Sequence, residues 1–97
     1  MKIIKKIEEK NYQMFMHKRC RLNSFNGSTG LIVGYAYNKE YDISLYIIET
    51  YENPLYRDKL RLIRFLDVTG FETKFFSGIQ LFEKSYRLFK LSDLEIL

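Results

Sequence analysis

Hydrophobic and polar positions change period several times along the chain, and each change marks an element. Ile3, Ile4 and Ile7 fall on one helical face among Lys and Glu, so Lys2–Lys10 is expected to form a short amphipathic helix. The period then drops to two. Tyr12, Met14 and Met16 alternate with Gln13, Phe15 and His17, and the alternation continues through Cys20 and Leu22 to a turn at Asn26–Gly27. The run "GLIVGYAY" that follows is the clearest strand. Strict alternation sends Leu31, Val33, Tyr35 and Tyr37 to one side and Ile32, Gly34 and Ala36 to the other, giving one bulky, aromatic face and one small face. Asn38–Asp42 is a polar hairpin loop, and "ISLYIIETY" returns as a strand dense in β-branched and aromatic residues.

Residues 53–70 change the pattern again. Asn53 suits an N-cap, Pro54 the first helical position and Gly70 a C-terminal stop. On a helical wheel Leu55, Tyr56, Leu60, Leu62, Ile63 and Leu66 gather on one side, with Arg57, Arg61 and Arg64 on the other. "KLRLIRFL" also fits an edge strand after an Asn-Pro turn; the caps at both ends favour the helix. Beyond it, "FETKFF", "IQLFE" and "YRLFKL" read as further strands divided by Ser77–Gly78 and Lys84–Ser85. The chain closes on "SDLEIL", where Ser92 and Glu95 have capping-box spacing for a last short helical turn.

These elements predict a mainly β to α+β domain. It has a small antiparallel sheet or partial barrel, an N-terminal helix and a helix near 54–69. A basic strand, a Gly-x-x-Gly turn, a strand with a small inner face, a hairpin and the terminal "SDLE" turn follow one another in an order that resembles the Src-homology-3-like small barrels, the group that includes Tudor- and KOW-type domains. The resemblance covers residues 15–50 and the last dozen, and departs at 53–70, a large insertion for such a barrel. It implies a fold and no specific function, because that architecture hosts protein, RNA and DNA binders alike.

Composition narrows the class. With 97 residues, no linker and no internal repeat, the chain reads as a single domain, 1–97, and buries roughly two-thirds of its unfolded surface. Eight Tyr and eight Phe make a heavy aromatic load, which suits strands and small cores and equally suits binding surfaces. Apolar runs such as Leu31–Val33 fall far short of the ~18 residues of a spanning helix. "MKIIKKIEEK" carries too many charges for the apolar centre of a secretion signal. One cysteine excludes an internal disulfide framework and fits a reducing compartment, so the expected location is the cytoplasm. The net charge of +4 is uneven: the first thirty residues are strongly basic, 31–53 acidic, 54–70 basic again and the remainder balanced. A basic beginning attracts phosphate or an acidic protein face, and equally describes a solvated lysine-rich helix.

The motifs that would carry chemistry are incomplete. Gly27, Gly30 and Gly34 lack the Lys-Ser/Thr of a phosphate-binding loop and the spacing of a dinucleotide fingerprint. Gly27-Ser28-Thr29-Gly30 matches the loop of KH-type RNA binders in form, but that loop joins two helices and here both flanks alternate like strands. A hairpin turn explains the same residues. His17 and Cys20 are the only His and Cys; three apart on a strand they point to opposite faces, and together they are too few for a structural zinc. The acids show no Asp-x-Asp or His-linked pattern. No catalytic, cofactor or metal residue is therefore assigned, and the chain is expected not to be an enzyme.

Binding remains. Cations interleave with aromatics at Lys18, Arg19 and Arg21, and cations recur at Arg57, Arg61 and Arg64; Tyr35 and Tyr37 share the bulky face of the clearest strand. These residues are the candidate partner-binding set, although outward charges beside inward rings are also what an alternating strand produces. Two functions fit. One is a non-catalytic regulator or inhibitor, of the compact kind carried by phages and mobile elements, docking on a protein or nucleoprotein. The other is a nucleic-acid-binding accessory protein using a basic and aromatic face. No membrane, metal or cofactor partner is expected, and no oligomeric state is assigned.

Overall fold

A computed structural model describes residues 11–23, 27–50, 59–77 and 85–97. The expected helix at Lys2–Lys10, the Asn53 and Pro54 caps, Arg57 and the "IQLFE" strand lie outside the described residues. Six strands form one antiparallel sheet: β1 (Arg19–Leu22), β2 (Ser28–Asn38), β3 (Ile43–Thr50), β4 (Glu72–Phe76), β5 (Ser85–Phe89) and β6 (Leu94–Ile96). A helix, α1 (Lys59–Val68), lies between β3 and β4 in sequence. The order across the sheet is β5-β3-β2-β1-β6, with β4 also on β2. The predicted class holds, and the sheet is open: among the described residues its end strands β5 and β6 do not meet.

The long strand β2 organises everything. One edge pairs with β3 from Leu31↔Glu49 to Asn38↔Ile43. The other edge is shared, by β1 from Arg19↔Leu31 to Leu22↔Ser28 and then by β4 from Gly34↔Phe76 to Tyr37↔Glu72. At the handover the backbone stays satisfied: His17 N donates to Ile32 O (2.7 Å), Ile32 N to Lys18 O (3.0 Å) and Ser77 N to Val33 O (2.8 Å). The His17 ring closes the seam through a 2.7 Å hydrogen bond between Nε2 and Ser77 Oγ.

A bulge in β2 corrects the predicted faces. Ile32 pairs with Ile48 and Gly34 with Ile47, leaving Val33 as the extra residue. The alternation therefore slips by one. Ile32 and Tyr35 end in one cluster with Cys20, Leu22, Tyr46, Ile48 and Leu94, whereas Val33 and Ala36 join Ile47, Leu62, Leu66 and Tyr86 on the opposite side. Leu31, Val33, Tyr35 and Tyr37 do not share a face. The bulge needs glycine: a Cβ on Gly34 would lie 2.7 Å from both Phe75 O and Ile47 Cδ1.

The strand expected from Tyr12 is a second correction. Tyr12–Phe15 is a 3-10 turn. Tyr12 stacks on Tyr35 (centroids 4.7 Å, planes 4° apart) and Phe15 meets Tyr46 edge-on (5.7 Å, 83°). Both rings must reach one core from positions three apart, which a turn of three residues allows and a strand forbids. At the other end, Leu91–Asp93 is a 3-10 turn with no side-chain cap, and Leu94–Ile96 extends along β1 (Leu22↔Leu94, Cys20↔Ile96). The capping box is not formed, because Leu94 is drawn into the core beside Leu22.

α1 is the helix, not the edge strand. It ends as Gly70 predicts. Phe71 N donates to Leu66 O (2.7 Å) and Gly70 N to Asp67 O (3.1 Å), with Gly70 at φ 90, the paired bonds of a Schellman stop. Phe71 and Leu66 belong to one cluster, the apolar contact that accompanies such a stop. Asn38, buried at the end of β2, anchors this corner by donating from Nδ2 to Thr69 O (3.4 Å). Among the described residues no helix is long and apolar enough to cross a membrane.

Candidate binding face

The glycine-rich stretch forms no phosphate cradle. Ser28, Thr29 and Gly30 are already β2, paired with Leu22, Arg21 and Cys20. Cys20 is fully buried, with its thiol donating to Gly30 O (3.7 Å). Loss of hydration on burial pushes that thiol up to about 11, against a smaller opposing effect of the Gly30 hydrogen bond. A protonated, enclosed thiol is a poor nucleophile. His17 is exposed and faces Ser77 and the edge of Phe75 (6.0 Å), so the histidine and the cysteine serve different parts of the fold.

The candidate residues separate into three groups. Tyr35 is withdrawn from the surface: it is 0% exposed, stacked under Tyr12, and shares a 2.8 Å hydrogen bond with Ser44 Oγ. It is a core residue, and the bulge at Val33 sets it on the Tyr12 and Tyr46 side of the sheet rather than on the α1 side. Tyr37 is half-buried and donates from its hydroxyl to Asp42 Oδ1 (2.7 Å), which fixes the ring against its own hairpin.

Lys18, Arg19 and Arg21 are exposed. Arg19 and Arg21 occupy alternate positions of β1, opposite in direction to buried Cys20 and Leu22. Arg21 Nη1 lies 3.3 Å from Glu95 Oε2 across the β1–β6 pair, an exposed bridge that contributes at most about 1 kcal/mol. Arg19 stands opposite Leu31, which packs with the α1-side cluster. Directly paired residues share a face, so these arginines emerge on the same side of the sheet as α1.

Arg61 and Arg64 are exposed one turn apart on α1. The helix sinks only Leu62 and Leu66, with Ile63 half-buried. At 100° per residue Leu60 and Val68 fall on the far side from that pair, with Arg64 between them and Arg61 between Val68 and Phe65. Leu60 is 71% and Val68 78% exposed, and Phe65, on the flank, is 42% exposed. Placing Leu60 on the buried side was incorrect, because the helix rests on the sheet through a narrow i, i+4 seam. Phe65 and Val68 had no place in the candidate set. The signal that would have found them is the spacing 61, 64, 65, 68, which is one helical stripe mixing arginine with large apolar residues.

Beside this stripe is a groove of about 700 Å³ between α1 and the segment entering β4, lined by Leu60, Ile63, Arg64, Asp67, Phe71 and Glu72 among others. Its second wall begins at the Schellman stop. Neither Arg61 nor Arg64 has an ion-pair partner among the described residues, whereas Glu72 is held by Lys74 at 3.1 Å. Lys59, at the first turn, places Nζ 4.8 Å from the Phe76 ring centroid. Within α1 three cations, Lys59, Arg61 and Arg64, stand against one acid, Asp67. Comparison with protein-family models, curated proteins and solved structures found no match to this chain.

Proposed function

We propose that the chain is a non-catalytic binding protein, a regulator or inhibitor acting in the cytoplasm, that docks on a protein or nucleoprotein partner through the outer face of α1. The observation that carries this reading is the exposure of Leu60, Phe65 and Val68 around Arg61 and Arg64 on one helix. Large apolar side chains set among arginines are what the centre of a protein interface uses. The apolar area contributes roughly 25 cal/mol per Å² buried, and arginine supplies directional bonds at low desolvation cost. A helix laid against a partner presents such residues at i, i+3, i+4 and i+7, the spacing of 61, 64, 65 and 68.

A nucleic-acid accessory protein is the second reading, supported by the exposed cations at Lys18, Arg19, Arg21, Arg61 and Arg64. Single-strand grooves also need free rings for stacking. Tyr35 is enclosed and Tyr37 is bonded to Asp42, which weakens that half of the argument.

Affinity capture from nuclease-treated lysate, with the wild type beside an Arg61→Glu/Arg64→Glu variant, tests the first reading. A protein retained by the wild type and lost by the variant is the expected result; identical captured sets would sink it. Titration with single- and double-stranded DNA and RNA tests the second. Binding whose log–log salt slope is about −0.7 to −0.9 per phosphate contacted would move the assignment to nucleic acid.

A further inference from the structure

We propose that the chain pairs with a second copy of itself along the outer edge of β4, in an antiparallel register centred on Thr73. Among the described residues β4 pairs with β2 alone, and no backbone hydrogen bond joins Glu72–Phe76 to anything beyond that pair. A strand paired on one side carries a row of N–H and C=O groups on the other, and another strand is what satisfies such a row in place of water. The groove beside α1 reaches residues 70–73, so the helix does not close over the beginning of this edge.

Charge selects the occupant. Glu72 and Lys74 are both exposed. Lys74 is the extra residue where the β2–β4 register shifts, and its 3.1 Å bridge to Glu72 sets both side chains on one face. Directly opposed residues of an antiparallel pair share a face, so a two-fold pair centres on a residue and not between two. With Thr73 at the centre, Glu72 of each copy stands against Lys74 of the other, flanking a Thr73–Thr73 pair. The neighbouring centres oppose Lys74 to Lys74 or Glu72 to Glu72. The strands that end the sheet lack this self-complementarity: β5 centred on Arg87 and β6 centred on Glu95 each set a charge against its own equivalent. A lysine on an edge ordinarily deters pairing with a foreign strand, whereas a copy of β4 brings the acid that meets it. An axis normal to the sheet preserves its faces, so both copies of α1 lie on one side of the joined sheet. Arg61 and Arg64 belong to α1, and this pairing is independent of docking through them.

Light scattering on the full chain across a concentration series is the test. The wild type is expected to pass from one chain to two as concentration rises. Glu72→Lys or Lys74→Glu alone opposes like charges twice per dimer and should weaken association about tenfold or more; the exchange Glu72→Lys/Lys74→Glu should restore it. Circular dichroism checks that these exposed-site variants keep the sheet. A disulfide probe gives a second readout that needs no charge change. Directly opposed residues have Cα atoms about 5 Å apart, within disulfide reach, so Thr73→Cys should oxidise to a covalent dimer while Lys39→Cys, on the hairpin, stays monomeric. A wild type that remains monomeric at millimolar concentration overturns the proposal. So does association indifferent to both single reversals, or a Thr73→Cys chain that forms no covalent dimer. A dimer that Arg61→Glu/Arg64→Glu breaks and the β4 reversals spare overturns it as well, and moves the contact to α1.

Discussion

The two sides of the sheet are covered by different means. On one side, Tyr12 lies parallel to Tyr35 at 4.7 Å and Phe15 meets Tyr46 edge-on, so the segment preceding β1 seals the core with its own rings. On the other side, α1 commits Leu62 and Leu66 to the sheet and leaves Leu60, Phe65 and Val68 outside. The first side absorbs aromatics that resembled a binding surface. The second exposes apolar residues that resembled core. Side-chain type therefore does not separate core from interface in this molecule; what separates them is whether the local backbone brings two large residues to one face or turns one of them away.

The contrast is broken most severely at Tyr35. Tyr35→Ala is expected to cost about 3–5 kcal/mol, the range for removing a large buried ring, read as a shift of the urea midpoint. Tyr35→Phe, which keeps the ring and loses the bond to Ser44, is expected to cost about 1 kcal/mol. A negligible effect of Tyr35→Ala would return the residue to the candidate interface.

Gly34 sets which side each residue of β2 takes. Gly34→Val forces a side chain against Phe75 O and Ile47, and overpacking of this kind costs about 1–3 kcal/mol. For a domain of this size each kcal/mol lowers Tm by about 4–8 °C, so a thermal scan resolves it. An unshifted Tm would mean that β2 can carry its bulge elsewhere.

Cys20 reports on how tightly the aromatic side is closed. Its folded-state pKa of about 11 exceeds the ordinary 9.0, so the proton is held more firmly in the folded chain. The resulting stabilisation is complete below pH 9 and is lost as pH rises from about 9 to about 11, because only the unfolded chain releases the proton early in that interval. Subtracting the pH profile of Cys20→Ala isolates this loss from the tyrosines that titrate nearby. The same thiol should stay unmodified by a disulfide reagent at pH 8 until denaturant is added; rapid modification of the folded chain would show an open core.

The smallest stability effect belongs to the helix face. Arg61→Glu and Arg64→Glu are each expected to change unfolding free energy by no more than about 0.5 kcal/mol, as exposed charges do. Binding should fall while stability stays put. A stability loss comparable to that of Tyr35→Ala would place these arginines in the structure's own support.

Local pattern was most legible where neighbouring residues act on one another. The hairpin at Asn38–Asp42, the two strands flanking it and the stop at Gly70 follow from turn and cap chemistry within a few residues. The candidate site was half legible. Arg61 and Arg64 were placed outward correctly because arginine seldom lies on a buried seam. Leu60 and Tyr35 were each placed on the wrong side, since both depend on packing that periodicity does not contain.

The amino-acid order by itself determined a small, mainly antiparallel β domain with one cysteine, an uneven positive charge and no assembled catalytic motif. Tertiary structure decided which way β2 faces. Val33 is the extra residue between the pairs Ile32↔Ile48 and Gly34↔Ile47, and one residue without a partner on β3 inverts every side chain beyond it. It also decided that Tyr12 and Phe15 come from a turn, since only the shared demand of Tyr35 and Tyr46 sets both rings on one face. It decided the outer face of α1 as well: a helix resting on a sheet through Leu62 and Leu66 leaves the other side to solvent, whatever residues stand there.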